Sequence, residues 1–313
     1  MTAPVPSTLP RPRTRRRRHL TLLGALALLA GVLAGCGGQE GSPAVGKAPT
    51  PSPSAPPTFQ RYVALGDSFT AAPLVPVTDV ASGCFRSSAN YPALVARSLG
   101  AELDDRSCGG AATTHLSRSQ FPGVPPQLSA LTRGTDLVTL SIGGNDGRTF
   151  AHLVSTCPEL RDEDPDGAPC ETAMRRDGQD VLQATLRRTG NRIAAALREI
   201  KRRSPDAKVL VVGYPQIAAA DNACDRMPMA EGDYAYLAEV NRTLTEQLER
   251  AARATGTTYV DVWSASQGHD VCSDSPWVNG AVSDQKRAAA YHPFAEEQQA
   301  VAELITQELG KGD

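Results

Sequence analysis

The stretch RYVALGDSFT, residues 61–70, runs from apolar residues of strand character into a tight polar turn that holds Ser68. A serine or aspartate placed there commonly caps the following helix. It can instead be a nucleophile, provided that a base stands beside it. Three other stretches could serve that second use. RSCGGAAT (106–113) is a small-residue loop whose backbone N–H groups can come close to a ligand. GGND (143–146) lets the backbone turn sharply on two glycines and presents the Asn145 amide, a hydrogen-bond donor. AYHPF (290–294) sets His292 directly before Pro293, the expected first-turn residue of a helix. Imidazole exchanges protons near neutral pH, so His292 is the candidate base for Ser68.

These residues need elements to position them. Tyr62 to Leu65, Leu137 to Ile142, Lys208 to Val212 and Thr258 to Val262 read as short buried strands. Tyr91 to Leu99, Gly178 to Arg203, Asp233 to Thr255 and Pro293 to Leu309 read as helices; in the second, Val181, Leu182, Leu186, Ile193, Leu197 and Ile200 recur near helical spacing. The alternation predicts an α/β fold, a three-layer α/β/α sandwich with a mostly parallel central sheet. In such a fold Ser68 and Asn145 follow strand ends at the carboxyl edge, where ligands bind.

The chain divides into three parts. Arg11, Arg13 and Arg15 to Arg18 form a basic region ahead of the apolar run Leu20 to Ala34, so residues 1–35 are expected to be an export signal. The arginine run also permits a twin-arginine export route. Leu33-Ala34-Gly35-Cys36 has the pattern of a bacterial lipobox, making Cys36 the expected site of lipidation and residues 36–58, rich in Pro, Gly and Ser, a solvated tether. Residues 59–313 are the right size for one domain. The chain has 32 Lys+Arg and 34 Asp+Glu; without residues 1–35, which hold six arginines and no acid, 26 basic residues face 34 acidic ones, a net of −8. That balance argues against a nucleic-acid partner and leaves any membrane attachment to the lipid.

Six cysteines remain after Cys36, an even number that in an exported chain reads as disulfides. Many pairings are open; the expected one joins sequence neighbours, Cys84–Cys108, Cys157–Cys170 and Cys224–Cys272. No C-x-x-C or H-x-x-x-H spacing suggests a metal, and no cofactor is expected. His115, His152 and His269 read as exposed or structural, Trp263 and Trp277 as core, rim or walls of an acyl pocket, and Asp67 as a residue that shapes the Ser68 turn.

GDSFT around Ser68, the Gly110 loop, GGND around Asn145 and the late His292-Pro293 occur in the order and rough spacing of the SGNH hydrolases, the GDSL lipases and esterases, which the chain resembles from Phe59 to Asp313. The six-cysteine pattern is similar to that of the secreted actinobacterial branch, whose bridges join sequence neighbours. The resemblance implies an SGNH, flavodoxin-like sandwich, Ser68 as nucleophile, His292 as base, and an oxyanion hole made by the backbone N–H of Ser68, that of Gly110 and the Asn145 amide, with Gly109 as the alternative to Gly110. It implies an ester or lipid substrate, hydrolysed through an acyl-enzyme. Acyl transfer to another hydroxyl, polysaccharide deacetylation and a non-catalytic binding lipoprotein are the alternatives, and a monomer is expected.

The sequence departs from the family where most members carry Asp, three residues before the histidine; here that residue is Ala289. A Ser-His dyad is therefore expected, with the Ala289 carbonyl fixing the imidazole tautomer and Asp284 as the alternative. Phe294, at a place where the family often has a small polar residue, leaves the substrate's shape open.

Overall fold

Alternate residues of the first strand point to opposite sides: Val63 and Leu65 join one buried apolar cluster, Tyr62 and Ala64 another. The same division runs through Val209 and Val211 against Leu210 and Val212, so the sheet they form is covered on both faces. The computed structural model describes residues 58–311. The expected export signal, the expected lipidation site Cys36 and all of the expected tether but Thr58 lie outside them.

Among the described residues the central sheet has five parallel strands: β1 (Arg61–Gly66), β2 (Glu102–Asp105), β3 (Leu137–Ser141), β4 (Lys208–Val212) and β5 (Thr258–Val260). Their order in space is β2-β1-β3-β4-β5. The chain therefore leaves β1 toward one side and returns to its other side as β3, which makes the carboxyl end of β1 a topological switch point. Helices α2 (Tyr91–Leu99) and α5 (Ala295–Gly310) contribute to one cluster, α3 (Val181–Arg203) and α4 (Asp233–Thr255) to the other. Each large side chain buried there stabilises by about 1.5–3 kcal/mol. A short α1 (Ser68–Ala71) follows β1 directly.

Strand β2 was not evident in the sequence. Its residues, Glu-Leu-Asp-Asp, lack an apolar run because it is an edge strand, where charge blocks pairing with other chains. Helix α3 starts at Val181 rather than Gly178, since Asp180 accepts from the Gln183 N–H and caps it while Gln179–Asp180 pairs with Arg175–Arg176. Pro293 is not in a helical first turn either: it pairs with Val278 in an isolated bridge, and α5 begins at Ala295. The disulfides are Cys84–Cys108, Cys157–Cys170 and Cys224–Cys272, joining sequence neighbours.

Candidate active site

Ser68 is the first residue of α1, and the residue before it does the capping. The Asp67 carboxylate accepts from the Phe69 N–H at 3.0 Å, leaving the Ser68 side chain free of that duty. Asp67 also accepts from the Tyr214 hydroxyl, which in turn accepts from the Gly144 N–H at 3.3 Å. One buried tyrosine thus ties the serine turn to the GGND turn. Burial pushes the Asp67 carboxyl up to about 7, while the hydrogen bonds from Tyr214 and Phe69 act the other way. Gln127 braces the same strand end: its amide oxygen accepts from the Gly66 N–H and its amide nitrogen donates to the Gly66 carbonyl, both at 2.9 Å.

The two remaining loops are fastened to each other. Asn145 donates to the Ala111 carbonyl at 3.0 Å. Beside it, buried Asp146 accepts from the Thr113 N–H at 2.7 Å, from the Thr113 and Thr189 hydroxyls at 2.6 and 2.9 Å, and from Arg192 at 3.1 Å. Gly144 has no room for a side chain, since a Cβ there would fall 2.1 Å from the Phe150 ring. Gly109 donates its N–H to the Cys84 carbonyl at 2.8 Å, so that donor is occupied. Among the described residues the N–H groups of Ser68 and Gly110 have no acceptor, and both residues line the pocket described below. The Gly110 backbone has φ +72°, a conformation natural to glycine.

His292 lies in a turn closed by its own N–H on the Ala289 carbonyl at 3.2 Å, with Tyr291 at φ +56° inside it. Its Nδ1 is 2.6 Å from the Ala290 carbonyl. The orienting carbonyl is therefore that of Ala290, not Ala289. The Ala289 oxygen already accepts from the His292 N–H and from the Asn279 amide at 3.1 Å. Asp284, the alternative, is exposed and accepts from the Lys286 N–H at 2.9 Å, within its own turn. Donation of Nδ1–H to Ala290 leaves the lone pair on Nε2, the tautomer a base requires. Burial lowers the His292 pKa, opposed by the Ala290 hydrogen bond, so the ring favours the neutral form. The Phe69 ring stacks on the imidazole, centroids 6.0 Å apart.

Ser68, Gly110, Asn145 and His292 line one pocket of about 260 Å³, whose apolar walls include Phe150, Leu153, Val154, Ile217 and Leu237. Trp263, Trp277 and Phe294 are not among its lining residues. Trp277 stacks on His269 at 4.6 Å, and the Phe294 ring lies buried under the Arg287 guanidinium at 4.2 Å. His115 accepts from the Ala112 N–H at 3.0 Å, a local cap. Tyr214, Gln127 and Asp146 carry no pattern in the sequence that marks them as supports of this site. Tyr214 offers only its position just past the end of an apolar strand, on the edge where Ser68 and Asn145 also fall.

Residues 64–300 match the model of the GDSL-like lipase/acylhydrolase family. The chain belongs to that family and is a carboxylic ester hydrolase of the α/β sandwich class. It is 39% identical over 263 residues to lipase 2 of Streptomyces coelicolor, a match that covers 82% of this chain and 88% of that protein. Among solved structures, phospholipase A1 from Streptomyces albidoflavus aligns with a TM-score of 0.67 at 26% identity, over 80% of this chain and 99% of the other. An extracellular lipase from Streptomyces rimosus aligns at 0.61 and 27% identity, over 79% and 99%.

Proposed function

We propose that the chain cleaves esters through an acyl-enzyme formed on Ser68, with His292 as its only side-chain partner in a Ser-His dyad. The observation that carries this reading is the His292 Nδ1 hydrogen bond to the Ala290 carbonyl, beside a serine that shares the same pocket. Ser68 Oγ attacks the ester carbonyl as Nε2 takes its proton. The C=O pair moves onto oxygen, which accepts from the Ser68 and Gly110 N–H groups and from the Asn145 amide. Asn145 now donates one N–H to Ala111, and its amide carries a second. Collapse breaks the C–O bond, and the imidazolium returns its proton to the departing alcohol. Water then attacks the acyl-enzyme with the same base, releasing the acid and restoring Ser68.

A fluorophosphonate tests the nucleophile directly. Mass spectrometry of the peptides should find the adduct on Ser68 and lose it in His292→Ala; an adduct elsewhere, or none in the active wild type, rejects the assignment.

The exported, lipid-anchored placement rests on Leu33-Ala34-Gly35-Cys36 and on the tether to residue 58 ahead of a domain spanning 59–313. Cys36→Ser should shift the protein from the membrane fraction into the medium with its specific activity kept, because the acyl chains supply the membrane affinity. Full retention on membranes would reject the anchor.

A further inference from the structure

Helix α4 turns Leu237 and Asn241, four residues apart, onto the same face, and both line the active-site pocket. Asn241 is only 1% exposed. Its Oδ1 accepts from the Ile217 N–H at 2.9 Å, and because an N–H can meet only the oxygen end of the amide, that bond fixes the side chain's orientation. The Nδ2 end has no hydrogen-bond partner among the described residues. Ile217, which it holds, and Leu237, one helical turn before it, are buried apolar residues of the same wall and carry no side-chain acceptor. Buried donors are almost always paired, and one on the wall of a substrate pocket can receive its partner from the substrate.

We propose that Asn241 is a specificity-determining residue that donates through Nδ2 to an oxygen carried within the substrate's acyl chain, so that the preferred acyl group is an alkoxy-, oxo- or hydroxyacyl chain. This rests on the ester-hydrolase reading of the pocket. The acyl side is assigned because that part stays bonded to Ser68 between the two steps and needs a lasting apolar enclosure. The alcohol must take a proton from His292 and leave. An acyl chain without an oxygen would bury the Asn241 amide unpaired, whereas one with an oxygen at the matching depth would satisfy it.

The test is an oxygen scan. A set of 4-nitrophenyl esters of equal chain length, one all-carbon and the others with a single methylene replaced by oxygen at successive positions, is compared by kcat/KM. The wild type should show a peak at one position, about tenfold above the all-carbon ester. Asn241→Leu should flatten that peak. Each ratio is taken within one preparation, so a loss of folded protein cancels. A flat wild-type profile overturns the proposal even if the variant fails to fold, as does a peak that survives in Asn241→Leu. A peak confined to a second series, with the oxygen in the alcohol, overturns it as well. Failure of the wild type to cleave the all-carbon ester and every scanned ester would remove the ester-hydrolase reading and this proposal with it.

Discussion

Ser68 follows a strand that is hydrogen-bonded to neighbours on both sides, whereas His292 sits in a coil turn whose ladder contact is the isolated pairing of Pro293 with Val278. Around Ser68 the fastening is done by buried side chains: Gln127 on Gly66, Tyr214 on Asp67, and Gln298 donating to the Phe69 carbonyl at 3.0 Å. Around His292 it is done mostly by the main chain, through Asn279 N–H to the His292 carbonyl at 2.9 Å and Phe294 N–H to the Trp277 carbonyl at 2.8 Å. Ser68, the proposed nucleophile, is thus held in place mainly by buried side chains, and His292, the proposed base, mainly by backbone hydrogen bonds. A buried network loses much when one member is removed, because the partner is left unsatisfied; a loop of backbone bonds loses less per substitution.

The largest effects should fall on both sides equally. Ser68→Ala and His292→Ala should each lower kcat by at least about 1000-fold, and the double variant should be little worse than either, since the two groups act as a unit. Additive losses would break the pairing. Asn145→Ala should lower kcat about 100- to 1000-fold with KM nearly unchanged, because its amide acts on charge that develops in the transition state.

The next pair separates the two sides. Tyr214→Phe removes the donor to Asp67 and the acceptor of the Gly144 N–H, and should destabilise the fold by about 1–3 kcal/mol in denaturant unfolding. Asn279→Ala removes one of the donors to each of the Ala288 and Ala289 carbonyls beside His292 and should lower kcat severalfold with a smaller loss of stability. If the two variants showed the same ratio of kcat loss to stability loss, the contrast would fail.

The sides also titrate with opposite signs. Asp67 and Glu297 are raised by burial, to about 7 and about 8. The stability each contributes is full below the unfolded carboxylate value of about 4 and is lost as pH rises through the folded value. His292 is lowered, so its contribution is present above the unfolded histidine value and lost as pH falls through the folded one. Glu297→Gln should therefore lessen the fall in Tm between neutral and mildly alkaline pH. The acid limb of kcat/KM, set by His292, should lie below the ordinary histidine value of about 6.5. The smallest effect belongs to Asp284→Asn, where kcat should change less than about twofold because the carboxylate is exposed and does not meet His292. A large loss with the fold intact would restore a triad.

This contrast also explains what could be read from the sequence. Strands β1, β3 and β4 announce themselves because burial on both faces demands continuous apolar residues. Edge strand β2 does not, because its function at the border favours Glu and Asp. Ser68 and Asn145 could be placed on one edge by strand logic, whereas the Gly110 loop and His292 joined them through the order and spacing of the family's motifs. The identity of the carbonyl beside His292 could not be read in either way: choosing Ala290 over Ala289 depends on a positive φ at Tyr291 and on an amide from Asn279, and neither has a local sequence signal. Gln127 and Asn241 were hidden for a related reason, since a buried amide is recognised by its partners and not by its neighbours in the chain.

The Cys84–Cys108 bridge ends one residue before Gly109, and the Cys84 carbonyl holds the Gly109 N–H. The loop that holds Gly110, a proposed oxyanion donor, is therefore tied by a covalent bond whose existence depends on the surrounding redox potential. Opening that bond would leave the sheet its apolar clusters and the segment its hydrogen bonds to Asn145 and Asp146, but would remove the covalent restraint next to Gly109. Oxidation of this cysteine pair thus adds order to the Gly110 segment by a route separate from the burial that builds the sheet.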